Sequence, residues 1–210
     1  MRIDPDPARL PFPPGGSPFL ANGVVFRAEV AYVQKRLPGA MAGLSESLAP
    51  GDGDYLAQIF LPGTMYDLAP LVRLAVAAAR KEGTTPMDFV RARARESADN
   101  DIRGIYRLML KVTSAETLAS RLPWAFNRYF APTRAHMNNL EAGRMTAQLR
   151  AAPECIAGWY VAATEGFVGR AFELTGVRPE AIRFTWAPPR PEGAEGGVAL
   201  VTLPFAVAWQ

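Results

Sequence analysis

The sequence predicts an α+β fold. A helical N-terminal half precedes a four-stranded antiparallel sheet, in the order β-β-α-β-β, with a long helix packed on the sheet. Three observations predict it. Residues 153–176, PECIAGWYVAATEGFVGRAFELTG, form an apolar run too long for an ordinary strand. Upstream of residue 130, apolar residues recur at helical spacing between helix-start signals. From residue 134 the period changes to two.

The long run reads as the helix on which the sheet closes. Pro153 and Glu154 suit a first turn, and Gly176 suits a stop. Ile156, Tyr160, Ala163, Phe167 and Leu174 recur near helical spacing. Gly158, Gly166 and Gly169 each weaken an isolated helix by about 1 kcal/mol relative to Ala. The simplest offset is close approach of another backbone. The sharper alternative is that Gly158, Trp159 and Gly166 leave room for a ligand beside the sheet.

Residues 1–22 carry Pro5, Pro7, Pro11, Pro13, Pro14 and Pro18, and read as an extended or disordered arm. Phe12, Phe19 and Leu20 could lay that arm across the body. Residues 23–210 read as one α+β domain, with a helical lobe over 23–130 and a sheet lobe over 131–210. Val24, Val25 and Phe26 are β-prone. Helical spacing begins at Arg27 and runs to Leu37, with Glu29 facing solvent. A short helix over 39–48 follows, and Asp52 or Asp54 caps another turn. Asp67 reads as the N-cap of a helix over 68–82, ended by Gly83. Thr85-Pro86-Met87-Asp88 restarts a helix to about Ala98. A further helix covers 102–112. Thr113 to Glu116 matches a capping box for 115–121, and Pro123-Trp124 opens a separate short turn ending at Phe130.

Strands over 134–140 and 144–150 flank a glycine-bearing hairpin loop, Glu141-Ala142-Gly143. Ile182, Phe184 and Trp186 alternate with polar residues. A Pro/Gly/Glu loop spans 188–197. Val201, Leu203, Phe205, Val207 and Trp209 make the last strand, where Pro204 suggests an edge or a bulge.

Composition narrows the function. The 210 residues are 49% hydrophobic, enough for one sizeable core. The net charge of +3 is scattered, which does not indicate nucleic-acid binding. The denser patch of Arg91, Arg93 and Arg95 reads as a solvated helix face. No apolar stretch is long enough for a membrane span, and the N-terminus does not resemble a signal peptide. With a single cysteine, Cys155, a reducing, cytoplasmic location fits. Cys155 itself reads as a small buried hydrophobe.

The helices-then-β-β-α-β-β order resembles the ligand-binding fold shared by haem-nitric-oxide-binding domains and small-molecule-binding domains of the vinyl-reductase type. More closely, the chain resembles an uncharacterised bacterial family, a domain of unknown function, over about residues 23–186. The residues that carry this are Asp101, Gly104 and Tyr106 in DIRGIYRLML, Leu122-Pro123 before Tyr129-Phe130, and Pro153, Trp159, Tyr160, Glu165 and Gly166. The haem-binding relatives imply an axial histidine on a helix ahead of the sheet and a Tyr-x-Ser-x-Arg pattern. Neither is present. The only histidine, His136, falls in the first hairpin strand. The expectation is therefore no cofactor, haem included. The vinyl-reductase-type resemblance implies a smaller or apolar ligand.

No metal set is expected, because one His and one Cys lie apart without ligand spacing. No nucleophile–base pair stands out: His136 reads as a surface residue beside Arg134 and Asn138. The glycines of 193–197 lack the setting of a phosphate cradle. The aromatic load remains. Trp124, Trp159, Tyr160 and Phe167 are the expected ligand-binding residues of a non-catalytic sensory or regulatory module. Its ligand is a small apolar or amphipathic molecule between helical lobe and sheet. Two other readings stay open. One is an interaction or scaffolding module acting as a homodimer through the last strand or the Pro-rich arm. The other is an isomerase or cyclase with Glu165, Asp101 or Tyr106 as acid or base.

Overall fold

A computed structural model describes residues 4–103 and 114–210, the side chains of residue 45 and residues 101–103 excepted. The expected 102–112 helix, Gly104, Tyr106 and Thr113 lie outside the described residues, as does the Asp101 side chain.

Capping chemistry sets the helices. α1 spans Gly23–Arg36, and the Asn22 side chain accepts from Val24 N at its start. Val24, Val25 and Phe26 therefore belong to its first turn rather than to a strand. A Cβ on Gly23 would overlap the Leu61 carbonyl, so glycine is needed where the helix begins. α2 (Ala40–Ser45) and α3 (Asp52–Leu56) are short. α4 (Leu68–Glu82) starts on Asp67, which accepts from Ala69 N, and stops at left-handed Gly83. α5 spans Pro86–Arg103. Thr85 Oγ1 accepts from Asp88 N and donates to Asp88 Oδ2, closing the expected start.

α6 spans Ala115–Tyr129 and is capped by Ser114, one residue later than expected. It runs through Pro123 rather than dividing there. An interior proline costs about 3 kcal/mol. The buried face of Ala115, Leu118, Ala119, Leu122 and Ala125 continues across Pro123 and offsets that cost.

A small sheet ties the N-terminal segment to the body. β1 (Leu20–Asn22) lies between β2 (Met65–Asp67) and β3 (Phe130–Ala131). Pro7–Arg9 form a short 3-10 turn, and Leu10, Phe19 and Ala21 are buried. Gly15 N and Ser17 N donate to Asp67 Oδ2, and Asp6 N donates to the Cys155 carbonyl.

The larger sheet is antiparallel. β4 (Arg134–Glu141) and β5 (Arg144–Pro153) form the expected hairpin, with Gly143 at positive φ. β8 (Val198–Ala208) pairs with β5 along one side. Its other side pairs with β6 (Arg183–Trp186) and then β7 (Arg190–Glu195). β6 and β7 share one sheet position, broken at 187–189, so five strands occupy the four positions expected. The 188–197 loop is therefore mostly strand, turning at Gly196-Gly197.

The last strand is central rather than an edge, and Phe205, Val207 and Trp209 are buried within the chain. Pro204 is tolerated there because of the seam between β6 and β7. The Pro204 carbonyl accepts from Ala187 N just beyond β6, while β7 pairs only up to Thr202. The missing N–H of Pro204 faces that gap, where no ladder bond is lost.

The long run of 153–176 becomes a 3-10 turn at Glu154–Ile156 and then α7 (Ala157–Glu173). α7 packs on α5, and Gly166 is the point of closest approach: a Cβ there would overlap the Arg91 carbonyl. The close-backbone reading of the glycines holds at this residue. Gly169 is different, since its added Cβ would meet only Phe184, at 3.7 Å. The Arg91/Arg95 face is not solvated as expected. Arg91 donates from Nε and Nη2 to Glu165 Oε2, and Arg95 bridges both oxygens of Glu173. Arg170 reaches back from α7 to Asp99. Burial works against the Glu173 charge, but Arg95 and Arg170 outweigh it and hold that carboxyl below the usual range.

Gly166→Ala should destabilise the chain by about 1–3 kcal/mol through overpacking. Gly169→Ala should be neutral or stabilising by up to about 1 kcal/mol. Urea denaturation of the two variants side by side checks this, and equal effects would remove the close-approach account.

Candidate ligand-binding site

A partly enclosed cavity of about 90 Å³ lies where the helical lobe meets the sheet. Each wall follows from an apolar stripe already placed. α1 contributes Val24, Val25 and Ala28; α6 contributes Leu122, Phe126 and Tyr129. The sheet face contributes Ala135, Met145, Ala147, Leu149 and Phe205, as period-two alternation requires. α7 supplies Ala163, Thr164, Phe167 and Val168, and α5 supplies Arg93, Ala94 and Ser97.

Of the four expected ligand-binding residues, Phe167 lines this cavity, in edge contact with Tyr129. Trp159 and Tyr160 are fully buried outside the lining, edge-to-face with each other and with Phe130. The Tyr160 hydroxyl is hydrogen-bonded to Thr133 Oγ1 at 3.1 Å, and burial pushes its phenol far up. Trp124 is 44% exposed, outside the lining, with the Arg128 guanidinium over its ring.

The residues that sequence reasoning misplaced are Glu29 and Arg93. Both were read as solvent-facing, yet Glu29 is fully buried and Arg93 is 5% exposed. Arg93 Nε stands 2.8 Å from Glu29 Oε2, and its guanidinium lies over the Trp159 ring at 5.6 Å. The pair is close but poorly aligned for a hydrogen bond, and Arg93 Nη2 and Glu29 Oε1 have no partner. Burial pushes the Glu29 carboxyl up, and Arg93 offsets this only in part. The sequence held a signal. Glu29 sits in the buried stripe Val25, Phe26, Tyr32, Val33, and Arg93 sits beside Val90, Ala94 and Ser97, each a lone charge on an apolar face.

The remaining candidates are elsewhere. Glu165 is outside the lining; it is held by Arg91 of α5 and accepts from Trp186 Nε1. Cys155 is buried, and that burial pushes its thiol up. His136 is exposed on β4, opposite Gln148. No cluster of three His, Cys, Asp or Glu that could hold a metal occurs among the described residues.

Solved structures share this fold over most of the chain. An unliganded Fe(II) H-NOX protein from K. algicida superimposes with a TM-score of 0.62 at 10% identity, covering 90% of this chain and 96% of that one. The fold is that of the H-NOX domain. An H-NOX protein from S. oneidensis in the Fe(II)NO state gives 0.63 at 13% identity, covering 90% and 99%. An oxygen-binding H-NOX domain related to soluble guanylate cyclases gives 0.63 at 10% identity, covering 90% and 95%. No family model matches the chain, and no curated protein matches it.

The H-NOX fold corrects the expectation of no cofactor. The similar structures include ones concerned with haem distortion in the H-NOX family and with haem redox potential under porphyrin distortion, so haem is the cofactor that the fold implies. The lining tests that group on this chain. Its apolar walls have the character that the faces of a porphyrin need, but a space of about 90 Å³ is far smaller than a four-ring macrocycle. No imidazole is among the lining residues, but Tyr129 and Met145 are. Phenol and thioether are both side-chain types that hold haem iron. The lining therefore offers side-chain types that could hold haem iron, in a space that does not admit the whole group as it stands.

Removing Arg93 alone should cost about 3–5 kcal/mol, because it leaves the Glu29 charge buried and unpaired. In Arg93→Met nothing opposes burial, so the folded-state proton affinity of Glu29 rises further. A carboxyl raised in the folded state contributes stability below its unfolded pKa and loses it as pH rises through the folded one. Arg93→Met should therefore lose stability as pH rises above about 4.3. Glu29→Gln/Arg93→Met should recover most of the loss and lack that pH trend. Urea midpoints across pH check both statements.

Proposed function

We propose that the chain is a sensory or regulatory domain that holds a small apolar or amphipathic ligand in the cavity between helical lobe and sheet. The observation that carries this is the apolar cavity at the junction of the two lobes, in a fold whose similar structures include an oxygen-binding domain and one in an Fe(II)NO state. Haem is the first ligand to test because similar structures concern it; its uptake would need the lobes to part, and Tyr129 or Met145 would then be its iron ligand. The vinyl-reductase-type resemblance supports a smaller apolar occupant of the same space. The domain works in the cytoplasm on this reading; no helix among the described residues is long and apolar enough to cross a membrane. The last-strand route to a homodimer loses its support, because β8 is central and Phe205, Val207 and Trp209 are covered by the chain itself.

Native mass spectrometry and an absorption spectrum, before and after incubation with haem, test this. The expected result is a stoichiometric non-covalent mass that Ala163→Phe, which fills the cavity, abolishes. If that mass is haem, Tyr129→Phe or Met145→Leu should alter its spectrum. An apo mass under every condition, with no uptake of haem or of small apolar probes, would contradict the reading.

A further inference from the structure

We propose that Arg93 makes the cavity selective for a small apolar ligand carrying a carboxylate. The inference rests on the cavity being a ligand site and names the ligand's chemistry. Every buried side-chain polar atom without a hydrogen bond, among the described residues, belongs to Glu29, Arg93, Trp159 or Thr164. Native proteins leave few such atoms, and a group of them calls for an absent partner. Arg93 and Thr164 both line the cavity, at 5% and 6% exposure, and Ser97 stands one turn from Arg93. The rest of the lining is almost wholly apolar.

The chemistry of the unmet atoms selects the partner. Arg93 offers only N–H donors and a fixed positive charge. Thr164 and Ser97 can each donate one hydroxyl proton. A carboxylate accepts from a guanidinium fork and from hydroxyls together, and such charge-assisted bonds are about twice as strong as neutral ones. A neutral hydroxyl or carbonyl would meet fewer of these donors. Glu29 meets Arg93 at Nε and leaves Nη2 without a partner, so the guanidinium keeps donor capacity for a second anion. The apolar remainder takes the ligand body, and the space is on the scale of one small ring.

Benzoate and benzyl alcohol test this, with calorimetry and the change in tryptophan fluorescence as readouts. They share a ring and differ in charge. The wild-type chain should bind benzoate about tenfold or more tightly than benzyl alcohol. Glu29→Gln/Arg93→Met should bind benzyl alcohol as the wild type does and lose the preference. Glu29→Gln alone, which keeps Arg93 and removes its competing anion, should tighten benzoate several-fold. Equal binding of the two probes by the wild type, or a preference that persists in the double variant, would overturn the carboxylate assignment and leave the cavity reading standing. Binding of neither probe would also overturn the carboxylate assignment, whereas the cavity reading falls only if haem and other apolar probes fail as well.

Discussion

The contact on which the structure depends is the one between α5 and α7 at Gly166. Helix axes usually lie about 8–10 Å apart, at a distance set by the side chains between them. Here glycine lets the α7 backbone meet the Arg91 carbonyl. Arg91, Arg95 and Arg170 then tie the two helices through Glu165, Glu173 and Asp99. Exposed ion pairs contribute little singly, but this group shares partners: Glu173 receives both Arg95 and Arg170. α7 also backs the sheet, so fixing α7 to α5 fixes the sheet lobe to the helical lobe. The cavity at their junction inherits its walls from that arrangement.

Much of this was legible from local chemistry. Asp67 and Thr85 cap the helices they were expected to cap, Gly143 turns the hairpin, and period-two alternation placed Met145, Ala147 and Leu149 on the inner face. The misreadings share one cause, which is that long-range burial overrode a local rule. Pro123 marked a break, yet the apolar face of α6 continued across it. Pro204 marked an edge, yet the seam between β6 and β7 lay beside it. The β-prone residues after Asn22 joined a helix because Asn22 caps it.

The site was harder to read than the fold. Three of the four aromatic residues chosen from sequence lie outside the cavity lining, because aromatic load alone does not separate core from pocket. Trp159 and Tyr160 stack into the core, and only Phe167 reaches the lining. The more informative residues were charged. Glu29 and Arg93 come from helices far apart in sequence, and neither shows its partner locally. A charge within an apolar stripe costs several kcal/mol unless it is paired. Two such stripes of opposite sign were the signal, visible only when the helices were read against each other. The haem question turned on a different kind of evidence: the missing histidine argued against a cofactor, and the shared H-NOX fold argued for one.

The most direct measurement is a crystal structure under xenon pressure. Xenon enters apolar cavities without needing a matching polar group, so it reports the space itself. The account predicts xenon density bounded by Val25, Phe126, Leu149 and Phe167. Density elsewhere only, with those side chains closed on one another, would contradict a ligand cavity between the lobes.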